Sequence, residues 1–202
     1  QIYSGTSTRK DTWLFPVLVF LAVFSKGPVG ILMPLVSTIA FLIFKKQLKS
    51  WGKYWGAKMW IILLVLFGGW FAGVLAEGGT EYLNNLVFHQ TVGRAVDSFH
   101  HKAPFYFYGL SIWYSVIPWS FLFIGLTAAS LYYKKIKTDV EWFFLITFGA
   151  TFLMLSLFSS KLAIYLVPLL PFLAYFSALQ LRKYSWNKWM ALSLVIPALI
   201  FA

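Results

Sequence analysis

Apolar residues run along this chain in long blocks. Four of them approach or reach the roughly 20 apolar residues with which a helix crosses a bilayer: 59–76, 105–133, 140–158 and 162–181. A fifth begins near Trp189. Two shorter blocks, 13–24 and 29–44, flank Ser25-Lys26-Gly27-Pro28. A charge, a flexible residue and a helix breaker in succession predict a turn or an unwound segment there. At about 1.5 Å per residue, 13–24 reaches only about 18 Å, short of a full crossing. Pro16, Pro34, Pro118, Pro168, Pro171 and Pro197 fall inside apolar runs, where membrane helices tolerate them by kinking against neighbours. The runs are too long for membrane-barrel strands and lack their ten-residue alternation. The predicted class is all-α, a polytopic membrane protein.

Composition agrees with that class. With 60% hydrophobic and 11% charged residues, the chain would expose far too much apolar surface as a soluble domain, and it has too much to bury for disorder. There is no cysteine, which excludes a disulfide framework and a thiolate metal site. The net charge of +11 lies in short clusters between apolar runs, the pattern of membrane-protein loops, so no nucleic-acid partner is expected. One set of connections holds Arg9, Lys10, Lys45, Lys46, Lys49, Lys53, Lys58, Lys134, Lys135, Lys137, Arg182, Lys183 and Lys188. The other side holds Lys26, Arg94, Lys102 and Lys161, with Glu77, Glu81 and Asp97. Placing the thirteen in the cytoplasm satisfies the positive-inside rule at every crossing. The sequence lacks an initiator Met and a signal-peptide pattern, and it stops inside an apolar run. It is expected to be an internal piece of a longer protein, a single partial transmembrane domain over 1–202.

The longest outer connection is 77–104. Within it, 81–91 gathers Tyr82, Leu83, Leu86, Val87 and Gln90 near one another on a helix, with Asn84, Asn85 and His89 polar. This predicts a short helix lying in the outer interface. Gly78-Gly79 and Gly93 provide bends, and 102–108 re-enters the membrane through aromatic residues.

The candidate chemistry is cationic. Lys26, Arg94 and Lys161 come from distant parts of the chain, yet all map to the outer half. An ammonium buried in lipid is costly, so such residues face a cavity, a headgroup or a partner. A phosphate suits them: Arg94 offers a planar fork and the lysines offer mobile charge. Lys161 can equally snorkel from a helix end, and Lys102 reads as an interface lysine. His89 reads as a loop residue within reach of an anionic headgroup. His100 and His101 are adjacent, so their rings diverge on a regular helix, and no zincin signature is present. No protein-built metal site is expected, and dependence on a divalent metal stays open. Glu77, Glu81 and Asp97 are the outer candidates for a general base. No phosphate-cradling glycine loop is present, so a lipid-linked donor fits better than a sugar nucleotide.

Several ordered blocks carry a resemblance. Phe24-Ser25-Lys26-Gly27-Pro28, then 88–94 (Phe-His-Gln-Thr-Val-Gly-Arg), 101–108, Ile117-Pro118-Trp119, and Ser160-Lys161-Leu162 followed by Tyr165-Leu166 and Pro168 resemble bacterial polyprenyl-phosphate-dependent glycosyltransferases of the GT-C fold. These are the relatives of aminoarabinose (lipid A) transferase and protein O-mannosyltransferase. The resemblance covers about 21–176. It implies a partial GT-C transmembrane helical domain in the bacterial inner membrane, with its active face toward the periplasm or exterior. It also implies transfer of a sugar from a polyprenyl-phosphate carrier to a lipid, glycan or protein hydroxyl, with no tightly bound cofactor. Lys26, Arg94, Lys161 and His89 would then contact the carrier phosphate. Ser160 stands where the family has glycine, and Ser25-Lys26-Gly27 replaces a Thr-Lys-Gly form. The family's catalytic acid has no match before Trp13, so the base is expected upstream and this stretch is not expected to catalyse alone.

Two further readings stand beside the enzyme. A transporter or flippase for a lipid-linked anion would use the broken segment around Lys26 as a gate. A non-catalytic membrane subunit would use its lysines only for lipid headgroups. The enzyme reading expects Lys26 and Lys161 at one outer cavity, and an unusually apolar exposed face on the helices.

Overall fold

A computed structural model of the protein describes residues 3, 8–84, 103–158, 161–185 and 187–201. The described residues are helical with connecting turns and no strand. They divide into two compact units, Gln1–Ser98 and Phe99–Ala202.

In the first unit, helix α1 runs Arg9–Lys26 and α2 runs Val29–Phe44. The first arm outruns its apolar block 13–24, but with Arg9, Lys10, Asp11 and Lys26 at its ends it is not among the described helices long and apolar enough to cross a membrane, as expected. Its 18 residues make about 27 Å of helix. The extension comes from polar residues that an apolar count ignores. Thr8 caps the helix by accepting from the Asp11 amide, and Asp11 accepts from the Thr8 amide at 2.7 Å, a reciprocal capping box. The predicted unwound segment shrinks to Gly27 and Pro28, since Ser25 and Lys26 are helical. Gly27 adopts φ 62°, which costs a residue without Cβ little. The chain then folds α2 back on α1 so closely that a Cβ on Gly30 would fall on the backbone at Ala22 and Val23.

A 3-10 turn over Leu48–Trp51 and the short helix α3, Gly52–Trp55, lead into α4, Ala57–Asn84. Ring pairs fix the register of α1 against the end of α3 and α4. Phe15 meets Trp55 at 5.6 Å, Phe20 meets Phe67 at 4.9 Å, and Phe24 meets Trp70 at 5.0 Å between centroids. Helices α1 and α4 therefore run parallel around a core of Val19, Trp55, Met59 and Leu63. The expected bend at Gly78-Gly79 is present: Gly79 has φ 69° and ψ −178°, interrupting α4. Of the expected interfacial helix, Glu81–Asn84 continue the helical stretch beyond that kink, and 85–91 lie outside the described residues.

In the second unit, α5 (Phe107–Ser115) and α6 (Ser120–Tyr132) meet at 117° across a cis Ile117-Pro118 bond. The expected continuous span over 105–133 is thus a sharply broken pair. Helix α7, Asp139–Leu157, opens with a second capping box, Thr138 with Glu141. The expected span over 162–181 is partly 3-10. Residues Ala163–Leu169 take that form, and the α-helix, α8, begins at Leu170 and ends at Leu181. Pro168 has no amide proton for the ladder, and Pro171 at the start of α8 needs none there. The 3-10 rise of about 2.0 Å per residue lets the 19 residues reach about 32 Å. Helix α9, Lys188–Phe201, packs Met190 against Leu122 and Leu126 of α6. Gly125 leaves room there for the Trp189 ring.

Among the described residues, three helical stretches are long and apolar enough to cross a membrane: Leu48–Asn84, Asp139–Leu157 and Ala163–Leu181. The broken α5–α6 pair makes a fourth if its arms count as one span. The α2 helix and most of α9 are apolar but shorter. Large apolar side chains stand exposed along these stretches, including Leu64, Val65, Leu153, Leu157, Leu199 and Ile200. Such continuous apolar exposure needs lipid or protein over it.

Candidate functional site

The charged residues sort by end within each unit. In the first, Lys58 donates to the Thr12 hydroxyl at 3.3 Å and sits 5.2 Å from the Trp13 ring centroid, so α4 begins beside the start of α1. Tyr3 meets Phe41 at 5.1 Å, which brings the end of α2 to the same level. Lys10, Lys45, Lys46, Lys49, Lys53 and Lys58 therefore share one end. Lys26, after Phe24 and level with the Trp70 region of α4, occupies the other. Its side chain is exposed. It complements the partial negative charge of the α1 C-terminus and leaves its ammonium accessible to an anion. Glu77 and Glu81 flank the Gly79 kink, beyond Trp70 on α4, and both are exposed.

In the second unit α7 serves as the ruler. At its N-terminus Glu141, only 3% exposed, accepts from the amides of Lys137 at 2.7 Å and Thr138 at 3.0 Å and pairs with Lys183. Lys183 also donates to the Lys135 carbonyl at 2.8 Å. At the far end of α7, Lys161 donates to the carbonyls of Phe158 and Ala103. Lys135 and Lys183 thus gather at one end and Lys161 at the other, the separation that the charge pattern predicts.

Lys161 is 5% exposed, and among the described residues no carboxylate pairs with it. Its two carbonyl partners use two of three ammonium hydrogens. The carbonyls orient the group without neutralising it, so the site keeps a net positive charge and one donor. That arrangement favours an anion. Nearby Tyr108 is fully buried on α5, its hydroxyl beside the Leu162 backbone.

Lys26 belongs to the first unit and Lys161 to the second. Arg94 and His89, together with Asp97, His100, His101, Lys102 and Ser160, lie outside the described residues. The described residues contain no cluster of His, Asp or Glu able to hold a metal ion. Sequence reading did not single out Glu141. The Thr138-x-x-Glu141 spacing ahead of an apolar run was the available signal of its capping role. It also missed a polar stripe on α8, where Ser177 and Gln180 are fully buried and the Gln180 amide finds no partner among the described residues. A lone Gln in an apolar run carries no pattern from which its burial can be read.

No protein-family model matches the chain. No solved structure matches it either. A protein of Aquifex aeolicus (strain VF5), described only as uncharacterized, is 31% identical over 194 residues. The match covers 93% of this chain and 37% of the relative, so the chain spans little more than a third of that protein's length.

Proposed function

We propose that the chain is part of a bacterial inner-membrane glycosyltransferase of the GT-C type. It moves a sugar from a polyprenyl-phosphate carrier to a hydroxyl acceptor at the outer face. The observation that carries this reading is the ordered set of blocks around Lys26, Arg94 and Lys161. The buried Lys161 ammonium, held by carbonyls and unpaired with any described carboxylate, supports it. So does the position of Lys26 at the end of its unit opposite the lysine cluster.

In the mechanism, a carboxylate of the whole protein removes the acceptor proton, and the acceptor oxygen attacks the anomeric carbon. The bond from that carbon to the carrier phosphate breaks, with inversion. Lys26, Arg94 and Lys161 offset the charge gathering on the departing polyprenyl phosphate, and His89 adds a hydrogen bond. The donor is lipid-linked, and the acceptor is a lipid, glycan or protein hydroxyl.

The test is release of polyprenyl phosphate from a polyprenyl-phosphate sugar by the full-length protein in proteoliposomes. Acceptor-dependent release that Arg94→Ala abolishes supports the reading. A second reading, movement of a lipid-linked anion across the bilayer, draws on the break between α5 and α6, since transporters build sites from discontinuous helices. Carrier translocation without sugar release in the same vesicles would favour it.

A further inference from the structure

The lysine-rich end of the first unit holds a small open cavity of about 70 Å³. Its polar lining includes Thr12, Lys53, Tyr54 and Lys58, and Phe15 and Met59 supply apolar wall. Lys53 and Lys58 are exposed, so neither ammonium is committed to a buried partner. The bond to Thr12 uses one hydrogen of Lys58 and leaves two for a ligand. Among the described residues Asp11 is the one carboxylate at this end, and the Thr8 cap engages it.

Two features point to a lipid and away from a soluble anion. Trp13 and Trp60, both substantially exposed, and half-buried Trp51 surround this end of the helices, the residue type that settles at headgroup depth. The cavity also passes from lysines to Phe15 and Met59 within one small volume, matching a phosphate joined to an apolar tail. We infer that this cavity binds the phosphate of an anionic phospholipid headgroup. Lys53 and Lys58 hold its charge, Thr12 and Tyr54 donate hydrogen bonds to its oxygens, and the glycerol and first acyl carbons lie on Phe15 and Met59. The site is separate from the carrier-phosphate cations. It requires only that the helices lie in a bilayer, so its failure leaves the proposed sugar transfer standing.

Native mass spectrometry of the chain, released from micelles with phosphatidylglycerol or phosphatidylcholine, tests the inference. Phosphatidylglycerol should be retained in preference, and Lys53→Gln with Lys58→Gln should cut that retention about tenfold or more, as losing two near-surface cations predicts. The charge-matched pair Lys46→Gln with Lys49→Gln should leave most of it. Lys58→Gln alone carries the comparison should the double variant fail to fold. Equal losses from both pairs would overturn the site in favour of diffuse attraction. Complete displacement of the lipid by glycerol phosphate would overturn it in favour of a soluble anion.

Discussion

The Lys161 ammonium donates to the carbonyl oxygen of Ala103 at 3.0 Å, across 58 positions of sequence, and also holds the Phe158 carbonyl. One side chain thus ties the entry of α5 to the exit of α7 while keeping its charge. Lys161→Met preserves length and removes both bonds. Leaving buried carbonyls unpaired costs about 1–3 kcal/mol, so thermal unfolding in detergent should occur at lower temperature. An unchanged transition would show that the carbonyls find equivalent partners without the lysine.

Gly30 and Gly69 make opposite predictions from the same substitution. A Cβ at Gly30 meets the α1 backbone, whereas at Gly69 it meets nothing within 4 Å. Gly30→Ala should destabilise by about 1–3 kcal/mol, the usual range for overpacking. Gly69→Ala, on an exposed helical position, should stabilise by up to about 1 kcal/mol through helix propensity. Denaturation of the two variants side by side checks the close α1–α2 packing. Equal effects would contradict it.

Glu141 joins a helix cap to an ion pair. Glu141→Ala removes an acceptor from the Lys137 and Thr138 amides and strips Lys183 of its partner. Breaking such a buried pair should cost about 3 kcal/mol, the lower end of the range because Lys183 retains contact with water. Lys183→Ala should cost less if the two amides still hold the carboxylate. Unfolding of both variants in a graded denaturant separates the contributions, and equal losses would assign the effect to the ion pair alone.

The chain has no cysteine, so single cysteines report sidedness without background. Lys46→Cys and Lys135→Cys should react with an impermeant thiol reagent from the cytoplasmic side of sealed vesicles. Lys26→Cys should react from the opposite side. Labelling of Lys26→Cys together with Lys46→Cys would contradict the assignment of charges to faces.

How much of this was legible in the sequence differs by element. The break at Gly27-Pro28, the kink at Gly79 and the separation of charges by end all follow from residue types whose physics is local. The start of α1 at Arg9 was not legible from hydropathy, because the Thr8–Asp11 cap extends the helix into polar sequence. Nor was the 117° break before α6, since Pro118 in an apolar run is compatible with a mild kink or a reversal, and packing decides. The 3-10 start of 162–181 has the same origin in Pro168 and Pro171. Of the candidate site, the cationic character of Lys26 and Lys161 was legible. The difference between them was not: one ammonium is exposed at a helix end, and the other is buried against carbonyls at the entry of α5 and the exit of α7.

The central claim is that the outer cations recognise a carrier phosphate. Its most direct test is binding of a long-chain polyprenyl phosphate to the purified chain in nanodiscs, with the neutral polyprenol as control and with Lys26→Ala and Arg94→Ala variants alongside. The account predicts selective binding of the phosphate form, weakened by each substitution by about tenfold, as loss of one charge-assisted contact implies. Equal binding of phosphate and alcohol, unchanged by either substitution, would contradict it.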